Sequence, residues 1–203
     1  MAGPAPLSAH RSFRRTRPPG FARQIRPPGF ARQIRPPGFA RQTVAMAHEG
    51  LQAKVVTVSD GVIAGTRQDR SGDALAACLA DAGWTIAERR QIPDGIESVR
   101  DTIVEMAAGF AGLIVTTGGT GFGPRDLTPE GTLAAVERQA PGLAEAARLV
   151  SPLGRLSRAV AGTRGRVLIL NTPGSTSGTV ECVTAVLDVL PHAVELLAGG
   201  RPH

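Results

Sequence analysis

Apolar positions along the chain change period repeatedly, from β-branched runs to helical spacing and back, and the rhythm starts at Ala53. AKVVTVS (Ala53–Ser59) predicts a strand, and DGVIAGTRQDR after it predicts a loop rich in glycine and charge. Ser71 is placed to cap a helix that ends at Gly83. Thr85–Ile92 alternates like a strand, Pro93-Asp94-Gly95 turns, and Ile96–Ala108 has helical spacing. Gly112–Thr117 is continuously apolar, as in a strand covered on both faces of a parallel sheet. Thr128-Pro129-Glu130 reads as cap, first-turn proline and first-turn acid of a helix reaching Gln139, and Pro141 opens another. Arg166–Asn171 predicts a fourth strand, and Ser177–Ala198 a long last helix bent at Pro191. Strands alternating with helices predict a three-layer α/β/α sandwich around a mostly parallel, doubly wound sheet.

Ligands of such sheets bind at the carboxyl ends of the strands. That edge collects Asp60-Gly61, Asp94, the loop TTGGTGFGPRD (Thr116–Asp126) and NTPGSTSG (Asn171–Gly178). Four polar, glycine-rich loops on one edge predict a site there.

Charge divides the chain. Residues 1–45 hold nine arginines and no Asp, Glu or Lys, whereas residues 46–203 hold 14 Lys+Arg against 17 Asp+Glu, a balance of −3. The pI of 11.0 therefore describes the tail more than the domain. RPPGFARQI stands at 17–25, recurs letter for letter at 26–34, and returns as RPPGFARQT at 35–43. Pro-Pro-Gly at the heart of each unit blocks continuous helix or sheet, so residues 1–45 are expected to be a disordered tail before a domain over 46–203. Met46 is the alternative start of the natural chain. An arginine-rich tail binds nucleic acid non-specifically at most, because the repeats lack lysine and carry a single aromatic residue each (Phe21, Phe30 and Phe39). No apolar run reaches the roughly 18 residues of a membrane span. Cys78 and Cys182 lie in apolar helical patterns and read as small core residues, which suits a reducing cytoplasm.

Glycines at 118, 119, 121 and 123 suggest bared N–H groups turned toward an anion. A Walker loop is excluded, because Lys54 is the sole lysine and opens the first strand. A dinucleotide fingerprint is also disfavoured, since Gly119-Thr120-Gly121 runs into Phe122-Gly123-Pro124 before any helix begins. A carboxylate beside phosphates repels them unless a cation lies between, which makes Asp126 a candidate Mg²⁺ ligand. Asp94 is the second candidate. Each has a plainer reading: Asp126 as a surface ion pair with Arg125, Asp94 as a turn residue. Ser59 either contacts nucleotide or merely ends a strand. No His/Cys spacing supports zinc.

Thr117–Gly121 and Arg125–Glu130 resemble the signature of the MoaB/Mog family of molybdopterin adenylyltransferases, a domain also found in gephyrin. TVSDGVIAG (Thr57–Gly65), DRSG (Asp69–Gly72), Ile92–Asp94, Pro141–Leu143 and LSRAVAGTRG (Leu156–Gly165) extend the likeness from about Lys54 to Gly199. One stretch departs: Pro173-Gly174 runs into Ser175-Thr176-Ser177 where the family has a second proline. The resemblance implies Mg-ATP-dependent transfer of AMP to molybdopterin with release of diphosphate. It implies catalytic and metal-binding roles for Asp94 and Asp126. Ser59, Asp60, Gly118, Gly119, Thr120, Gly121, Pro173 and Gly174 would bind nucleotide and phosphate, and Ser157, Arg158 and Arg164 would bind the pterin. It further implies a homotrimer and contact with other molybdenum-cofactor synthesis proteins. The alternatives are a pterin-binding or scaffold member without activity, and a nucleic-acid binder acting through the tail.

Overall fold

The elements of the computed structural model run Gln52–Val58 (β1), Asp60–Ile63 (α1), Arg70–Asp81 (α2), Thr85–Ile92 (β2), Ile96–Ala107 (α3), Gly112–Thr117 (β3) and Thr128–Ala135 (α4). Arg138–Gln139 (β4), Pro141–Leu149 (α5), a 3₁₀ turn at Pro152–Leu156, Ala161–Arg164 (β5), Val167–Thr172 (β6), Thr176–Thr184 (α6) and Leu190–Leu197 (α7) follow. The structure describes Gly3 and residues 50–200, so the repeat tail and the expected boundary at Met46 lie outside the described residues.

The sheet order is β2-β1-β3-β6-β5-β4. β1 pairs in parallel with β2 and β3, and β3 in parallel with β6, while β5 runs antiparallel to both β6 and β4. Alternate residues of the buried strands build the two faces. Val55, Val115 and Leu170 lie in register and pack with Leu75, Leu79, Ala144, Val183, Leu190 and Val194, drawn from α2, α5, α6 and α7. Val56, Ile114 and Ile169 face the other way, against Val99, Ile103 and Met106 of α3 and Ala135 of α4. Helices on both faces complete the α/β/α sandwich. Each fully buried Leu or Ile among these contributes about 1.5–3 kcal/mol.

Several local expectations are corrected. Asp69, not Ser71, caps α2: its carboxylate accepts the Gly72 N–H, and Ser71 sits inside the first turn. The loop after β1 contains the short helix α1, capped by Ser59. Leu127, not Thr128, occupies the cap position of α4. Thr128 donates its N–H to Gly119 O (3.0 Å), and its buried hydroxyl has no hydrogen-bond partner among the described residues. That helix stops at Ala135 because Val136 turns extended, sending Arg138 and Gln139 to pair with Thr163 and Gly162. The two short strands are too brief for a periodicity reading to find. The last helix is broken over residues 185–189, and Pro191 lies in the first turn of α7 rather than at a bend, where its missing N–H costs nothing. Cys182 is buried, donates to Ala147 O (3.3 Å), and has its thiol pushed up to about 11 by desolvation.

One row across the sheet prepares the site. Thr57, Thr117 and Thr172 lie side by side at the ends of β1, β3 and β6. Each hydroxyl ties a loop or neighbour: Thr57 to Asp69 (2.9 Å), Thr117 to Pro173 O (2.9 Å), Thr172 to Thr116 O (2.8 Å). The chain leaves β1 toward β2 on one side and returns to β3 on the other, so the topological switch point falls between β1 and β3.

Candidate active site

A cleft of about 1010 Å³ opens over that switch point. Its lining includes Ser59, Asp94, Gly118–Gly121, Asp126, Ser157, Pro173 and Gly174, with Ser71, Arg67, Arg70, Ser175 and Thr176 also on the wall. Motif residues separated by more than a hundred positions thus meet in one space.

The glycine loop is shaped by contact as well as by conformation. Gly118 (φ 105°) and Gly119 (φ 62°) take backbone angles that side chains disfavour. A Cβ on Gly118 would stand 2.3 Å from Val58 O, and one on Gly119 would stand 2.4 Å from the Thr128 hydroxyl. The loop therefore lies flat on β1 and on the start of α4. The expected row of bared N–H groups is shorter than the glycines suggest, because Gly118 donates to Thr172 O (3.1 Å) and Gly123 to Asp126, leaving the Gly119–Gly121 amides without a partner among the described residues. Gly174 approaches Gly118 from the β6 side: its Cβ would be 3.1 Å from the Gly118 Cα.

Three aspartates occupy the rim. Asp126 accepts the Gly123 N–H on Oδ2 (2.7 Å). Asp94 accepts the Asp60 N–H on Oδ2 (2.8 Å), and Asp60 Oδ1 accepts the Asp94 N–H in return (3.0 Å). Arg125 grips Asp60 in a two-pronged contact, Nε to Oδ2 at 3.0 Å and Nη2 to Oδ2 at 2.9 Å, and donates to Asp94 O at 2.7 Å. The plainer reading of Asp126 as Arg125's ion-pair partner is not what the side chains do; that partner is Asp60. Arg125's hydrogen bonds, and after them the Asp94 N–H, hold the Asp60 carboxyl below its ordinary value. Asp60 itself is absent from the cleft wall.

These contacts bear on a metal. Asp94 and Asp126 each have Oδ2 held by one backbone N–H, and among the described residues neither Oδ1 accepts a hydrogen bond. Two monodentate carboxylates beside an anion cradle fit Mg²⁺, which keeps waters and substrate phosphates as its other ligands. No group of three or more His, Cys, Asp and Glu gathers for a metal among the described residues. The fit is to a metal that arrives with phosphate.

The residues expected to bind the pterin separate. Ser157 faces the cleft, its Oγ 3.4 Å from Thr120 Oγ1. Arg158 turns inward: Nε donates to Gly121 O (2.7 Å), and its other nitrogens reach Asp126 O and Glu130. Arg164, on β5, donates to Ala135 O (2.8 Å) and is not part of the cleft.

Two residues escaped the sequence reading. Asp69, with 8% of its side chain exposed, accepts from Thr57 Oγ1 (2.9 Å), Gly72 N–H (2.9 Å) and Gln91 Nε2 (3.1 Å), pinning α2 and so Ser71 against the cleft. Its signal was the three-residue spacing from Asp69 to Gly72, which is that of a cap. Ser175 stands where the family pattern departs and caps α6, accepting the Gly178 N–H (3.2 Å). The departure therefore supplies a capping hydroxyl at the pocket wall.

Residues 54–192 match the family profile described as "Probable molybdopterin binding domain". A molybdopterin adenylyltransferase of Helicobacter pylori is 34% identical over 152 residues, covering 71% of this chain and 86% of that protein. Gephyrin of Dictyostelium discoideum is 35% identical over 158 residues, covering 70% of this chain and 22% of that longer protein. Among solved structures, the molybdopterin biosynthesis enzyme MoaB of Thermus thermophilus superposes with a TM-score of 0.69 at 43% identity, over 75% of this chain and 98% of that one. With the family profile, its relatives and the fold in agreement, the chain belongs to the MoaB/Mog family of molybdenum-cofactor biosynthesis domains.

Proposed function

We propose that this protein is a molybdopterin adenylyltransferase that uses Mg-ATP. The observation that carries the reading is the meeting of the Gly119–Gly121 amides, which donate to no partner among the described residues, with two carboxylates that each keep one oxygen uncommitted there. Attacker and target are both anions, so positioning and charge stabilisation make up most of the catalysis. The Gly119–Gly121 amides hold α-phosphate oxygens, and Ser59 and the Pro173-Gly174 turn border the nucleotide. Ser157 faces the incoming pterin.

Asp94 and Asp126 are the residues that would hold Mg²⁺, whose charge offsets that of the phosphates. An oxygen of the molybdopterin phosphate attacks the α-phosphorus, the bond from that phosphorus to the bridging oxygen breaks, and diphosphate leaves with the electron pair. The attacking oxygen is already ionised, so no general base is needed.

The test is turnover: the protein incubated with molybdopterin and Mg-ATP should release diphosphate and form adenylyl-molybdopterin. Pterin binding without diphosphate release would instead make it a silent member of the family. The family likeness supports a homotrimer, which light scattering of residues 46–203 would show and a monomer at micromolar concentration would refute.

A further inference from the structure

Asp60 and Arg125 belong to different loops, yet they join the two loops that carry the cleft carboxylates. Arg125 immediately precedes Asp126, and its guanidinium reaches across to the Asp60 carboxylate and to the Asp94 carbonyl oxygen (2.7 Å). Asp60 and Asp94 then exchange backbone-to-carboxylate hydrogen bonds of 2.8 and 3.0 Å. The loops after β1, β2 and β3 are thereby closed into one ring of contacts at the rim. The ring consumes Asp94 Oδ2 and leaves Oδ1 on the side of Gly119, 3.2 Å from where a Cβ on that glycine would stand.

We infer that Asp60 and Arg125 form a clasp that sets the spacing and orientation of Asp94 and Asp126, so that Asp60 is a positioning residue rather than a nucleotide ligand. The inference rests on the metal reading proposed above. Both clasp side chains are about half exposed or more, 48% for Asp60 and 62% for Arg125, so an isolated pair of this kind would add little to stability. Its geometry points to another use. A planar guanidinium with two prongs on a carboxylate and a third bond to a carbonyl fixes direction as well as distance, which an ammonium cannot do. Two loop-borne carboxylates need that, since Mg²⁺ demands near-ideal octahedral placement.

The experiment uses the full chain with Arg125→Met, Arg125→Lys, Asp60→Asn and the double variant Asp60→Asn/Arg125→Met. Mn²⁺ binding in the presence of a non-hydrolysable ATP analogue is read by electron paramagnetic resonance, and transfer is read against Mg²⁺ concentration. Arg125→Met should weaken Mn²⁺ binding about tenfold and raise the Mg²⁺ needed for half-maximal rate by a similar factor. The melting temperature and metal-free binding of the nucleotide should stay as in the wild type. Arg125→Lys should recover only part of the loss, and the double variant should be no worse than Arg125→Met alone. Unchanged metal binding in Arg125→Met would overturn the clasp, and so would a raised KM for ATP with normal metal dependence, which would put Arg125 on the phosphates. Additive losses in the double variant would also overturn it. A wild-type protein that binds no Mn²⁺ with the nucleotide refutes the metal reading and the clasp with it, a result told apart from the others because no variant is needed to see it.

Discussion

The cleft wall and the chain behind it use charge in opposite ways. On the cleft wall, Asp94 and Asp126 each have one carboxylate oxygen tied to a backbone N–H and, among the described residues, one uncommitted. Behind it, Arg158 and Arg164, which the family resemblance placed with the pterin, cap carbonyl oxygens of Gly121, Asp126 and Ala135 instead. Acids in loops stay available to ligand because backbone amides orient them without neutralising them. The arginines do the reverse, gathering carbonyls that a loop and the C-terminal end of α4 leave unpaired. A charged residue in a motif therefore does not announce whether it meets the substrate or the chain.

The largest effect expected from this contrast is at Asp126. Asp126→Asn should lower adenylyl transfer at least about a hundredfold, the scale of losing one charge-stabilising group, with the melting temperature unchanged. Asp94→Asn should follow closely, and wild-type rates in either variant would remove it from the metal site.

Arg158 should behave differently. Arg158→Met strands Glu130 and uncaps two carbonyls, so it should cost about 2 kcal/mol of stability, visible in chemical denaturation, along with activity. Normal stability with a raised KM for molybdopterin would put the guanidinium on the substrate instead and break the contrast. Ser157→Ala, which changes a cleft-facing hydroxyl, should raise that KM about three- to tenfold and leave stability alone, as loss of one neutral hydrogen bond does. Arg164→Ala should give the smallest change, about 1 kcal/mol or less in stability with unaltered kcat and KM. A pterin-binding defect there, measured by fluorescence titration, would return Arg164 to the site.

The fold was legible wherever an element was long and its period clear. Thr85–Ile92 and Gly112–Thr117 hold to the residue, because strict alternation and continuous burial are both written in side-chain type. Gly83 ends its helix with φ 89°, as a C-terminal glycine should. The reading failed where contacts distant in sequence decided. Thr128 looks like a cap, yet it lies buried against Gly119, a contact formed only once the glycine loop folds over α4. β4 and β5 hold two and four residues and exist through pairing with each other and with β6.

The sequence by itself determined the alternation of strands and helices, the gathering of four glycine-rich loops at one sheet edge, and the presence there of Asp94 and Asp126. Local periodicity and turn chemistry are properties of neighbouring residues, and they survive without knowledge of the rest of the chain. Only the tertiary structure decided which partner each charge takes. Arg125 stands next to Asp126 in sequence but pairs with Asp60, 65 positions away, because a loop turns adjacent side chains in different directions and brings remote ones together. Arg158 likewise reaches Gly121, 37 positions away, because that carbonyl has no strand or helix partner and the guanidinium is the donor within reach.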